Sequence, residues 1–420
     1  MAFEMGNFLD SHTSDLWCPV FLKRGKMNNK TKIVSLVMFL SVFMMLTYCQ
    51  KQKTEWKGTI EEVDGVQLVI NPEMPLSKNA GRERLLKEVL QIKDVGDEYY
   101  FKNPNDLKVA PDGSIFINDK GQFLHFSEDG KFICNYFKMG QGPGEMTGVY
   151  EYCIFDKSII LQNVMPPKLL IFDLNGNLEK EVIIKQKLYF PKLKHFHNGH
   201  YYFIHSGRPV TEKMAAIVDV AQNLICISQD GSELKEFISF PTRQYIERFK
   251  RGGRGIVSID ELITVPYQKK YLVVSHAEKY LLKLYDLEVN QIIRMFTREY
   301  PRVKVTKEYE IEKTSGLLVD GKPLTVPGLN YQDDVKSIFI SHNQIWVMTS
   351  TVYKKKGTLF DVYDFDGKYI DNFYLNLPDK FIGKIYGKWQ MDIKSNFLYT
   401  IEGAEEGTYV IKKYKIENKN

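Results

Sequence analysis

Short apolar runs separated by polar turn residues fill the chain from about residue 85 onward, and the clearest unit is Asn103 to Glu145, NPNDLKVAPDGSIFINDKGQFLHFSEDGKFICNYFKMGQGPGE. Asn105 to Val109 reads as a first strand, Ser114 to Asn118 as a second with Ile115 and Ile117 on one face, Phe123 to Phe126 as a third and Lys131 to Lys138 as a fourth. Pro111-Asp112-Gly113 and Glu128-Asp129-Gly130 are the turns between them. The chemistry of each is specific: Gly takes the positive φ, and Asp bonds the local backbone.

The unit recurs. The turn at Phe126 to Gly130 returns as Phe172-Asp173-Leu174-Asn175-Gly176, Ile227-Ser228-Gln229-Asp230-Gly231 and Tyr363-Asp364-Phe365-Asp366-Gly367, with weaker copies at Tyr285 to Glu288 and Tyr414 to Asn418. The turn before the second strand recurs in step, at Asp112-Gly113, Asp156-Lys157, Asn198-Gly199, Gln268-Lys269, His342-Asn343 and Ser395-Asn396, so both series count six. A repeat of several tens of residues with a few short strands in each copy is the mark of a propeller, whose sheets bury their faces against one another. The expected fold is therefore all-β, a six-bladed β-propeller of four-stranded antiparallel blades.

Four stretches fall outside the repeat. Ile60 to Ile70 is a hairpin on an Asp64-Gly65 turn, and Pro72 to Arg84 is polar and irregular. Leu86 to Ile92 reads as a strand, and the last copy, Trp389 to Ile416, has only three; the first should complete the second, closing the ring and removing an exposed edge. Thr297 to Asp333, with Pro301, Pro323 and Pro327, reads as a long loop carrying a short hairpin at Leu317 to Leu324.

Composition adds little beyond this. The 44% hydrophobic content supports a large core, the 25 Tyr and 26 Phe suit strands, and a net charge of +5 on 420 residues gives no reason to expect nucleic acid as a partner. The amino terminus says more. Ile33 to Leu46 is an apolar run behind Lys30 and Lys32, with the length and flank of a signal-peptide core, and Leu46-Thr47-Tyr48-Cys49 follows it directly. Residues 1–26 carry Glu4, Asp10 and Asp15 ahead of the basic region and read as an extension from a start codon placed too far upstream. The organisation expected is thus 1–26 extension, 27–49 signal peptide, 50–84 linker and hairpin, and 85–418 propeller. Beyond Cys18 and Cys49, the three remaining cysteines, Cys134, Cys153 and Cys226, are widely spaced and suggest neither a disulfide framework nor a zinc knuckle.

Leu46 to Cys49 resembles the bacterial lipobox, with Tyr48 where that pattern has a small residue, and Asn103 to Glu145 resembles an NHL-type repeat. With the opening IEEVDGVQLVINP, the layout over about residues 57–418 is similar to the six-bladed β-propeller lipoproteins abundant in Bacteroidetes. The resemblance implies export, lipid attachment at Cys49 and an anchor in the cell envelope, where the absence of an acidic run after Cys49 favours the periplasmic side. It fixes no activity, because fold alone does not determine function.

Candidate sites are few. Gly140 to Glu145 is a glycine-rich loop without a following helix, read as the link between blades one and two, with Glu145 available to a rim. His195 and His197 share one face of a strand and are a weak metal pair. Arg251-Gly252-Gly253-Arg254-Gly255 reads as a flexible basic loop opening the connection into blade four, with Arg251 and Arg254 able to grip a carboxylate or phosphate. There is no GxSxG and no HExxH. The function expected is a binding or scaffold module for an envelope protein, peptide or glycan, membrane-associated through its lipid and without a cofactor. The alternative is a lyase or lactonase with a metal ion in the central channel. The innermost strands show no repeated acidic or histidine position, which favours binding.

Overall fold

Each turn predicted to punctuate the second strand brings at least one residue into the left-handed region: Asp156, Asn198, Gln268, His342 and Ser395 have φ between 46° and 53° in blades two to six, and Gly113 serves in blade one at 89°. A computed structural model describes residues 55–419 apart from positions 95, 97, 98, 189, 190, 250, 251, 315, 316, 320, 379–389, 405 and 406. The two turn series divide the described chain into six antiparallel sheets.

From the innermost strand outward, blade one is Pro104–Val109, Ile115–Asp119, Gln122–Phe126 and Phe132–Asn135. Blade two is Glu151–Phe155, Ser158–Asn163, Lys168–Asp173 and Leu178–Ile183. Blade three is Lys192–His197, His200–Ser206, Ala215–Ser228 and Leu234–Arg248, with a fifth strand, Arg254–Ser258, on its edge. Blade four is Leu262–Tyr267, Tyr271–His276, Leu281–Asp286 and Gln291–Arg298. Blade five is Val335–Ser341, Gln344–Tyr353, Gly357–Tyr363 and Tyr369–Leu375. Blade six takes Met391–Lys394, Phe397–Gly403 and Tyr409–Asn418 from the end of the chain.

Its fourth strand is the expected one. Arg82–Ile92 pairs antiparallel with Tyr409–Asn418, from Ile92 opposite Ile411 to Arg84 opposite Asn418, and so closes the ring. The same strand begins by pairing parallel to blade five, Arg82 opposite Phe373 and Arg84 opposite Leu375. Every seam between neighbouring blades then carries its own apolar cluster, for instance Ile92, Leu107, Ile117 and Ile411 between blades six and one, and Phe339, Phe360, Met391 and Leu398 between blades five and six.

The amino-terminal arm holds more of the ring than its last strand. The hairpin Thr59–Val63 and Val66–Asn71 adds parallel to the outer edge of blade four, Leu68 opposite Met295. Asn71 then fixes it to blade five: its amide nitrogen donates to the carbonyls of Gly367 (2.8 Å) and Thr297 (3.1 Å), and its oxygen accepts from the Tyr369 N–H (2.7 Å). The stretch read as irregular continues along blade five, the Leu76 and Ser77 N–H groups donating to the Tyr369 and Ile370 carbonyls. At Gly367, φ is 74° and an added Cβ would stand 2.8 Å from the Phe296 side chain, so this turn requires glycine twice over.

The segment between blades four and five differs from a plain loop. The expected hairpin is present as Leu318–Val319 and Lys322–Pro323, but a helix, Lys307–Lys313, precedes it. Thr306 caps this helix by accepting from the Tyr309 N–H, Glu308 and Glu310 occupy its first turn and Lys313 its last, which complements the helix dipole. Seven residues are too few for a helical period to show in the sequence.

Candidate functional site

The six innermost strands surround a channel of about 280 Å³ to which every blade contributes. Their charges are not evenly spread. Asp106 and Lys108 come from blade one, Glu151 from blade two, Lys194 from blade three and Asp392 and Lys394 from blade six, whereas blades four and five contribute only uncharged residues such as Thr264, Val265, Ser337 and Ile338. The sequence reading missed these acidic positions, although the triplets Asp106-Leu107-Lys108 and Asp392-Ile393-Lys394 repeat the same charged, apolar, charged alternation on the first strands of blades one and six.

Most of these groups are engaged between blades. Asp392 Oδ2 accepts from the Val109 N–H at 2.8 Å, Lys108 Nζ donates to the Tyr152 carbonyl at 2.6 Å, and Lys194 Nζ lies 3.4 Å from Glu151 Oε1. Uncharged groups finish the circuit: His195 Nε2 meets the Lys269 carbonyl at 2.7 Å, Tyr267 donates to the Asn343 carbonyl at 2.8 Å, and Ser341 to the Ser395 carbonyl at 2.6 Å. Polar bonds therefore link blade six to one, one to two, and so on around the ring. Burial pushes the Asp106 carboxyl up to about 6, although Lys108 pulls it down, and burial also raises Asp392.

His195 and His197 do share a face, their rings parallel at a centroid distance of 6.4 Å. His195 spends its Nε2 on blade four, and burial lowers its pKa below the ordinary value, which keeps it neutral at pH 7. His197 Nε2 lies 3.7 Å from Glu288 Oε1. Among the described residues no three His, Cys, Asp or Glu side chains are grouped so as to hold a metal ion.

The Glu145 carboxylate turns back to accept the Gly142 N–H at 3.0 Å. The same loop is tied to blade two, where the buried Lys168 donates to the Gly142 carbonyl (2.8 Å) and to Glu181 (3.1 Å), and Glu181 accepts the Gly144 N–H (2.7 Å). Arg251 and the lipid-attachment candidate Cys49 lie outside the described residues. Arg254 begins the fifth strand of blade three, paired opposite Arg248, so what read as a flexible loop into blade four is a hairpin turn within blade three. Both arginines reach back over the connection after Ser206: Arg254 Nη1 donates to the Pro209 carbonyl at 3.2 Å and Arg248 Nη2 to the Thr211 carbonyl.

That hairpin stands on the face where the innermost strands begin. His200–Ser206 stops pairing at Ser206 opposite Gln222, yet the next two strands continue together to Ala215 opposite Glu247. The insertion from between blades four and five packs on this extension: Tyr245, Val257 and Ile259 of one meet Leu324 and Val326 of the other in a separate small core, with Leu317, Val319 and Leu329 at its margin. Two connections far apart in sequence thus form one raised platform.

The ring of repeats, closed by an amino-terminal strand and wound about a channel into which four of the six blades bring charged groups, defines a six-bladed β-propeller. Residues 93–308, just over half of the chain, match the DUF5128 family, described as a 6-bladed beta-propeller, and the chain belongs to that family. It is similar to a protein of Bacteroides fragilis named as exported, at 12% identity and a TM-score of 0.47 over 84% of this chain and 100% of that one. It is also similar to a DUF4221 family member from Bacteroides vulgatus, at 11% identity and a TM-score of 0.49 over 80% and 99%. No curated protein matches the chain.

Proposed function

We propose that the protein is an exported binding module of the cell envelope, anchored through a lipid on Cys49, which holds an envelope protein, peptide or glycan on the face that carries the platform. The observation that carries this reading is the shared core of Tyr245, Val257, Leu324 and Val326, because it gives two long connections a fixed shape that ring closure does not need. Both connections also present apolar side chains to solvent, Val210, Met214 and Ile217 on one and Ile311 and Leu318 on the other. Exposed apolar side chains on a rigid, raised surface are what a recognition face requires. The channel's charged groups are largely engaged in joining blades, so the free chemistry lies at the face.

The test is recovery of partners from envelope extract by the native chain and by a Val210→Asp/Met214→Asp variant. Loss of a partner with an unchanged melting temperature is expected. Undiminished recovery would place recognition elsewhere. The anchor is tested separately: labelled palmitate should enter the native chain and not Cys49→Ala, and incorporation that persists in the variant would remove Cys49 from the proposal.

A further inference from the structure

Beside the platform a second cavity of about 210 Å³ opens next to the channel, and Lys194 lines both. Its floor is the start of the innermost strands of blades three and four, with Lys192, Glu261 and Leu262; its wall is the inner face of the blade three extension, with Gln244, Ile256 and Ser258. We propose that this cavity binds one neutral pyranose ring, either a free hexose or the end of a glycan. The proposal rests on the binding-module reading and deepens it, but uses the inner face of the blade three extension and not the apolar side chains that the platform exposes.

Three observations converge on that ligand. The Oε1 atom of Gln244 is buried and has no hydrogen-bond partner. A buried acceptor left unpaired is destabilising, so it is a feature that a ligand donor would relieve. Charges of both signs meet at the lining: Lys192, Lys194 and Glu261 belong to it, and Glu151, which lines the channel and not this cavity, lies 3.4 Å from Lys194, so that only the count including Glu151 is even. A net charge on the ligand would meet a like charge beside each opposite one, whereas hydroxyl groups both donate and accept and so suit ammonium, carboxylate, amide and hydroxyl neighbours alike. Finally, the apolar Ile204, Ile256, Leu262 and Pro209 occupy the same lining, as the C–H faces of a sugar ring require. The volume lies below the roughly 300–1,000 Å³ of sites for drug-sized molecules, which suits a single ring.

Saturation-transfer NMR on the full chain tests this with glucose, galactose, N-acetylglucosamine and their methyl glycosides, and with glucuronate and glucosamine as charged counterparts. At least one neutral hexose should show transfer, and its charged counterpart should bind at least tenfold more weakly. Gln244→Leu should weaken the neutral ligand at least tenfold while the melting temperature stays level or rises, because the substitution removes an unpaired acceptor. Binding of methyl glycosides equal to that of the reducing sugars identifies a glycan end as an acceptable source, and binding of the free sugar alone identifies the monosaccharide. Absence of transfer from every neutral sugar, tighter binding of glucuronate, or full retention of binding in Gln244→Leu would each overturn the proposal. These outcomes are independent of the partner recovery above: sugar binding with no platform-dependent partner sinks only the platform reading, and the reverse sinks only this one.

Discussion

Arg298, at the end of the outer strand of blade four, forms a fully buried pair with Asp361 in the third strand of blade five, its Nη2 2.7 Å and its Nε 2.9 Å from Asp361 Oδ2. The carboxylate also accepts the Tyr280 and Tyr369 hydroxyls, at 2.5 Å and 2.6 Å. A seam otherwise made of aliphatic and aromatic side chains thus contains an ion pair removed from water. Breaking one side of such a pair strands the other, at a cost of about 3–5 kcal/mol, whereas replacing both by apolar groups is often far less damaging. Arg298→Met and Asp361→Leu should each lower the melting temperature strongly, and the double variant should lose clearly less than the sum of the two. Additive losses would mean that the two groups stabilise the seam independently.

Asp106 supplies a pH test of the channel. Its folded pKa, about 6, stands above the unfolded value, so the group favours the fold when protonated. That contribution is complete below about pH 4, the ordinary carboxylate range, and is lost as pH rises through 6. Asp106→Asn keeps the shape and cannot ionise. It should match the native chain near pH 4 and exceed it at pH 8 by up to about 3 kcal/mol, the equivalent of a two-unit shift. Thermal unfolding of both proteins at the two pH values checks this, and an equal difference at each would show that Asp106 does not titrate across that window.

Ring closure predicts a contrast between two isoleucines of the amino-terminal arm. Ile92 is buried opposite Ile411 against Leu107 and Ile117, whereas Ile60 is 53% exposed on the free edge of the hairpin at blade four. Ile92→Asp buries an unpaired charge and should open the seam between blades six and one, with a loss of several kcal/mol. Ile60→Asp should stay within about 0.5 kcal/mol. Chemical denaturation of the two variants decides it; comparable midpoints would contradict a ring closed by this strand.

The blades were legible in the sequence because their turns are local chemistry: Asp129-Gly130 or Asn198-Gly199 declares itself within a few residues. Closure by Leu86 to Ile92 was legible for a different reason, since a blade short of one strand leaves an edge that must be covered, but the strand's first residues, from Arg82, read as part of the irregular stretch before it. Nothing local announced that Val66–Asn71 would pair with blade four or that Asn71 would reach Gly367, because parallel pairing at a rim depends on which edges remain open after the ring has formed. The channel charges were written in the Asp106-Leu107-Lys108 and Asp392-Ile393-Lys394 alternation, yet alternation is also what any half-buried strand shows. The basic stretch around Gly252 reads as flexible because Gly-Gly sits between charged residues, while the strands on either side of it are fixed by Tyr245 and Val257, whose partners lie some 70 residues further on.

The platform's independence from the ring gives the last prediction. Leu324 is 2% exposed and its neighbours in the small core, Tyr245, Val257, Ile259 and Val326, belong to the extension and the insertion rather than to any seam between blades. Truncating a buried Leu to Ala costs about 2–5 kcal/mol where it packs. If the platform opens on its own, that cost falls on a local equilibrium and not on global unfolding. Leu324→Ala should therefore speed amide hydrogen exchange in residues 317–329 and in the paired segments 244–248 and 254–258, leave the inner strands of all six blades protected as before, and move the main melting transition little. It should also reduce recovery of any partner held by the platform, since recognition there depends on a fixed shape. Uniform loss of protection across the blades would mean that the platform and the ring unfold as one unit, and that its core serves stability rather than recognition.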